Sequence, residues 1–205
     1  MDTEQKTVGI AIKNRWTGEI IFQSTKTTVR GAVLEAIEQA SEKGERADLT
    51  GADLTGADLT DANLNFATLS GATLTGATLS GADLTGANLT FADLSGADLT
   101  RANLTRADLT DANLTRANLT RANLTDANLT RADLTDANLT RADLTDANLT
   151  RADLTDANLT DANLTRADLT ATTLYLGSIN KNFEALCKAI KTIRWKGNTG
   201  ADFVE

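Results

Sequence analysis

The chain has 205 residues, 20 of them Lys or Arg and 28 Asp or Glu, for a formal net charge of −8, and it contains no Pro and no His. Absence of His removes imidazole bases, Ser-His triads and imidazole metal sites, and the single Cys187 has no partner for an internal disulfide. No apolar N-terminal stretch has the form of a signal peptide or a membrane span, so the expected compartment is a reducing cytoplasm.

Residues 1–45 read as a cap. Val8, Ile10 and Ile12 alternate as a strand, Arg15-Trp16-Thr17-Gly18 supplies a turn, and Ile20 and Phe22 alternate as a second strand, so a hairpin is predicted. A helix is expected next, because Val29, Ala32, Val33, Ala36, Ile37 and Ala40 share one helical face. Thr27 or Thr28 is its candidate N-cap, and Gly44 lies near its end. Its apolar stripe can lie across the open end of whatever follows.

From Arg46 the chain obeys one rule to Tyr175. Leu recurs at every fifth position from Leu49 to Leu174 inside the pentad X-Ala-(Asp/Asn)-Leu-(Thr/Ser), which covers 130 residues. A period of five matches neither the 3.6 of a helix nor the 2.0 of a strand, so the chain must turn once per pentad to keep Leu on one side. If each pentad is a short extended stretch plus a corner, four of them close a square coil of about twenty residues, and coils stack at ~4.8 Å. Ala and Leu then point inward and the other three positions face water. Small Ala lets the backbone approach the axis at each corner.

The run Arg101-Ala-Asn-Leu-Thr-Arg-Ala-Asp-Leu-Thr110 resembles the consensus of the pentapeptide-repeat family. The resemblance covers residues 46–175 and implies an all-β solenoid, a right-handed four-sided β-helix of about six and a half coils. From Arg101 to Thr170 the X position holds only Arg or Asp, the polar position only Asp or Asn, and the last position only Thr. That regularity exceeds what natural members of the family show and points to an engineered consensus. Residues 47–100 are looser, with Thr68, Thr73 and Thr78 at the polar position and Phe66 and Phe91 at X.

The repeats hold eighteen Asp against nine Arg, so the predicted rod is acidic. An acidic wall repels nucleic acid and keeps a rod soluble. Counting by twenty stacks Arg106 under Asp126, Asp111 under Arg131, Arg116 under Asp136 and Arg141 under Asp161, as exposed ion pairs worth ~0 to 1 kcal/mol each. Arg101, Arg121 and Arg141 form a short basic line. Asp126 with Asp146 and Asp136 with Asp156 are expected about 5 Å apart on adjacent coils, a glycosidase-like spacing, but on a convex wall with no cleft to exclude water. Two such carboxylates fall short of the oxygens a calcium site needs, so no metal or cofactor is assigned. Asn-Leu-Thr occurs ten times as a glycosylation-type triplet, yet those letters are simply the repeat. Phe66 and Phe91 face outward, on different walls, as candidate contacts for a partner.

The final segment, 176–205, repeats the capping device. Phe183, Leu186, Cys187, Ile190 and Ile193 share one face of a predicted helix, with Asn180 or Asn182 as cap and Gly197 as end. It serves as a lid on the last coil or, as the family resemblance implies, as the contact of a homodimer, with Trp195 and Phe203 packing nearby.

These readings exclude an enzyme and leave three functions. The first is a non-catalytic structural scaffold. The second, implied by resemblance to family members associated with quinolone resistance, is an acidic DNA mimic that binds a protein partner, a type II topoisomerase. Against it, those relatives carry loops that interrupt the coils, and this chain has none between Arg46 and Tyr175. The third is an ice-binding Thr array, of which Thr73-Leu74-Thr75 is the best example.

Overall fold

The computed structural model of the chain describes residues 9–173, so the expectations for Phe183, Leu186, Cys187, Ile190, Ile193, Trp195 and Phe203 lie outside the described residues. Strand β1 (Ala11–Lys13) pairs antiparallel with β2 (Ile20–Gln23), with Ile12 opposite Phe22. Asn14 shapes the turn between them, because its Oδ1 accepts from the backbone N–H groups of Trp16 and Thr17 at 2.9 and 3.0 Å.

Helix α1 (Val29–Glu42) follows. The Thr28 hydroxyl accepts from Gly31 N–H at its start, and Gly44 takes a left-handed φ of 69° just beyond its end. Its Ala32, Val33 and Ala36 are buried in the same apolar core as the first repeats. A carboxylate fastens α1 to the hairpin: Glu35 accepts from the hydroxyls of Ser24 and Thr25, which hold its pKa down to about 2. Hydrogen bonds join the cap to the rod. Arg30 donates to the Thr60 carbonyl, and Arg15 N–H and Asp53 N–H exchange bonds of 2.8 and 2.9 Å with Gly51 and Lys13.

In the repeats each polar-position residue pairs in parallel with the residue twenty positions on, from Asp48 with Thr68 to Asp153 with Thr173. Pairing at twenty with a turn every five residues gives four corners per circuit. The pentad Arg101–Thr105 shows how every backbone N–H finds a partner. Leu104 N–H donates at 2.7 Å to Asn123 and Arg101 N–H at 3.0 Å to Thr120 on the next coil, while Asn103 N–H reaches back to Ala82 at 2.9 Å. Ala102 N–H closes the corner on the Leu99 carbonyl at 3.0 Å. Thr105 N–H is left over, and the Asn103 side-chain Oδ1 accepts it at 3.2 Å. An unpaired backbone donor is costly, which is why the third position is Asp or Asn.

Inside, Leu and Ala fill the tube. Leu104, Leu119 and Leu139, like Ala102, Ala117 and Ala137, are fully buried. In most coils the polar position is half-buried rather than water-facing, while Asp48, Asp53, Asp58, Asn63, Asn123 and Asn163 stay exposed; in both settings its Oδ1 reaches the backbone two residues on. The X residue is the corner itself. It sits in the left-handed region even when it is not Gly, with φ of 59° at Arg101 and 60° at Arg121.

Left-handed geometry costs an L-residue about 1–2 kcal/mol and penalises β-branched side chains most. Arg121 is exposed and belongs to none of the four ion pairs among the described residues. Arg121→Val is therefore expected to lower stability by about 1–2 kcal/mol through the backbone alone, whereas Arg121→Asn is expected to be neutral or mildly stabilising. Urea titration of the two variants checks this, and equal midpoints would contradict it.

Candidate interaction surface

Two side-chain systems cover the rod. The first runs along the walls. Each Asp or Asn turns Oδ1 toward its own Thr, so its second oxygen or its amide nitrogen points back to the preceding coil. Asn above Asp is then a donor above an acceptor, and all five such stacks bond: Asn103 to Asp83, Asn113 to Asp93, Asn118 to Asp98, Asn128 to Asp108 and Asn163 to Asp143, at 3.1–3.4 Å. In four of the five the same amide also reaches a Thr hydroxyl at 2.8–2.9 Å. Most Thr hydroxyls donate to their own Asp or Asn, as Thr105 and Thr140 do at 2.6 Å, so they are not a free array facing water. Asp98 lies below its ordinary pKa, because the hydroxyls of Thr100 and Ser80 and the Thr100 N–H outweigh the desolvation that opposes them.

Among the stacks that lack such a bond, Asp153 on Asp133 sets carboxylate over carboxylate. Asp153→Asn replaces that acceptor with a donor facing Asp133 and is expected to stabilise the rod by about 0.5–1 kcal/mol. Thermal unfolding at low ionic strength measures it; a lower Tm would refute the directional rule.

The second system stands on the corners. Asp111 pairs with Arg131, Arg116 with Asp136 at 3.7 Å and Arg141 with Asp161 at 3.3 Å, as counting by twenty predicts. Among the described residues no ion pair joins Arg106 to Asp126, whereas Arg166 pairs with Asp146, a twenty-residue stack outside the four expected ones. Both pairs with Arg on the later coil are two-pronged, through Nε and Nη2. Both with Arg on the earlier coil rest on Nε alone. The Asp111 carboxyl is held below its usual range by the Arg131 guanidinium. The pairs also consume Asp136 and Asp146, two of the four carboxylates that spacing had set side by side. Arg101, Arg121 and Arg141 border one open channel of about 400 Å³, with Asp61 in its lining. Among the described residues no group of three or more Asp, Glu or Cys is placed to hold a metal ion, and no helix is long and apolar enough to cross a membrane.

Phe66 and Phe91 are exposed, 51% and 65%. The expectation that they lie on different walls fails, because X residues form corners and these two corners bound the same wall. Phe66 begins the side that ends at Gly71; one coil on, the side begins at Gly86 and ends at Phe91. Trp16, which the sequence offered only as a turn residue, joins them at 63% exposure. Its ring covers Gly51 and Gly71, where an added β-carbon would stand 2.7 and 2.5 Å away, and Phe66 covers Gly86 in the same manner at 2.6 Å. Each ring has a guanidinium over it: Arg15 at 5.0 Å from the Trp16 centroid and Arg46 at 5.8 Å from that of Phe66.

The family profile described as pentapeptide repeats matches residues 45–81, 62–101, 102–141 and 137–174. No curated protein sequence matches the chain. Among solved structures, the chain is similar to HetL, a pentapeptide repeat protein involved in heterocyst differentiation regulation from the cyanobacterium Nostoc sp. strain PCC 7120, at 39% identity over 63% of this chain and 65% of that one, with a TM-score of 0.31. It is similar to Rfr23 from the cyanobacterium Cyanothece 51142 at 40% identity over 45% and 60% of the two chains, with a TM-score of 0.39. The match thus spans under two thirds of either cyanobacterial protein. A trypsin-treated variant of QnrB1, a plasmid-mediated fluoroquinolone resistance protein, superposes with a TM-score of 0.54 at 20% identity over 68% of this chain and 83% of that one. With turns every five residues, pairing at twenty and a profile match over most of its length, the chain belongs to the pentapeptide repeat family and has that family's right-handed four-sided β-helix.

Proposed function

We propose that the chain is a non-catalytic structural scaffold, a consensus-type pentapeptide-repeat rod. The observation that carries this reading is the run from Arg101 to Thr170, in which the residues that vary, at X and at the polar position, alternate only between Arg and Asp or between Asp and Asn. Those residues serve turns, ladders and corner pairs, and the cavity that Arg101, Arg121 and Arg141 border is an open surface channel. Pentapeptide repeat proteins are in general non-catalytic repeat proteins. If the coils are interchangeable, excising residues 121–140 joins Thr120 to Arg141 without breaking the pattern. The shortened chain is expected to keep the circular dichroism spectrum of the parent and to unfold cooperatively. Loss of folding would reject the reading.

A second reading is favoured by the excess of Asp over Arg along the rod and by the likeness to QnrB1. It is an acidic mimic of duplex DNA that occupies a type II topoisomerase. A gyrase supercoiling assay decides between the two, with inhibition or drug protection supporting mimicry. Segment 176–205, with Phe183, Leu186, Cys187, Ile190 and Ile193, is proposed as the contact between two copies, which light scattering of the full chain tests.

A further inference from the structure

Residues 62–82 contain no charged side chain, an uncharged belt on a rod whose repeats carry twice as many Asp as Arg. On one side of the rod this belt meets the aromatic corners. The wall between them is floored by Thr68 and Ser70 on one coil and by Asn88 and Thr90 on the next. Phe66 rises on one edge, and Trp16 and Phe91 rise on the other. Within the floor, Ser70 bonds to Thr90 at 2.8 Å and Thr90 to Asn88 at 2.8 Å. The Thr68 hydroxyl and the Asn88 amide nitrogen make no hydrogen bond among the described residues, so both have capacity for a ligand.

We infer that this wall is a binding site for a short neutral carbohydrate chain. Three features select that chemistry. Aromatic rings left more than half exposed are platforms for rings with an apolar face. The floor itself holds hydroxyls and one amide without a carboxylate or an ammonium, and the cations at its edges are the guanidiniums of Arg15 and Arg46 beside Trp16 and Phe66, donors that suit a ligand rich in hydroxyls. Phosphate chains are disfavoured by the Asp-rich walls around the belt.

Size decides against a protein partner or a second copy. Five residues span at most ~17 Å, and two coils rise only ~10 Å at the strand spacing. The wall offers well under the ~800 Å² per partner that a stable protein pair needs, yet it accommodates two or three pyranose rings. Trp16 and Phe91, on successive levels of one corner, would stack consecutive sugars, and Phe66 would close the opposite side. This assignment is independent of the scaffold reading, since a rod with interchangeable coils can carry the site at its N-terminal end.

The test is isothermal titration of the full chain with cellohexaose and, separately, maltohexaose. Saturable binding of either sugar is expected, weakened at least tenfold by Trp16→Ala or Phe91→Ala and unchanged by Arg121→Ala. Phe91 is a solvent-facing corner, so Phe91→Ala carries the test if Trp16→Ala fails to fold. Absence of saturable binding by both sugars, or binding that Phe91→Ala leaves intact, overturns the inference. So does a dimer in sedimentation that Phe91→Ala abolishes, since the wall would then be a contact between copies.

Discussion

Ala137→Leu lowers the free energy of unfolding by about 3 kcal/mol, at the upper end of ordinary overpacking costs, while Thr140→Ala in the same coil costs about 1 kcal/mol or less. Ala137 is fully buried at a corner. Its N–H closes the turn on Leu134 at 3.0 Å, and its carbonyl accepts from Asn158 on the next coil at 2.8 Å. Extra carbons there have no void to enter, and the backbone cannot retreat without breaking those bonds. Thr140→Ala removes one hydroxyl bond to Asn138 but keeps the 3.1 Å backbone bond that the turn needs. Urea titration followed by circular dichroism gives both values. The reverse ranking would mean that Ala does not line the core.

Leu139→Ala in that coil is expected to cost about 3–4 kcal/mol, within the range for truncating a fully buried leucine. Collapse around the gap is limited, because the neighbouring Leu119 and Leu159 sit on coils held at fixed register by paired Asn118, Asn138 and Asn158. Coils contact only their neighbours, so the damage should be local. Hydrogen exchange should accelerate at residues 134–144 and on the adjacent coils while Leu64 and Leu69 keep their protection. Uniform acceleration along the rod would instead indicate a single cooperative unit.

Much of this molecule is legible in its letters because the rule is short. Inward Leu and Ala, the twenty-residue circuit and the outward position of Phe66 and Phe91 all follow from a five-residue period. Three of the four vertical ion pairs predicted by counting are present. Arg106 and Asp126 are not joined, and that stack is one with Arg on the earlier coil, the arrangement that elsewhere gives only single, longer contacts. The half-burial of Asp and Asn was not anticipated, although a clue was available: a pentad turn strands one N–H, and a short acceptor two residues earlier is what an Asx turn uses.

The aromatic wall was hidden for a different reason. Nothing local to Trp16 places it over Gly51 and Gly71; that depends on how the hairpin docks on the first coil, through Arg15, Asn14 and Asp53.

By itself the sequence determined the solenoid, its core and the charge of its walls, because each follows from the chemistry of five neighbouring residues repeated. Only the tertiary structure decided which way the Asn–Asp ladder points, that Arg106 and Asp126 stay unjoined while other stacked pairs close, and that three distant rings border one wall. Those outcomes depend on atoms twenty or more residues apart, brought within bonding distance by the closure of each coil and the docking of the cap.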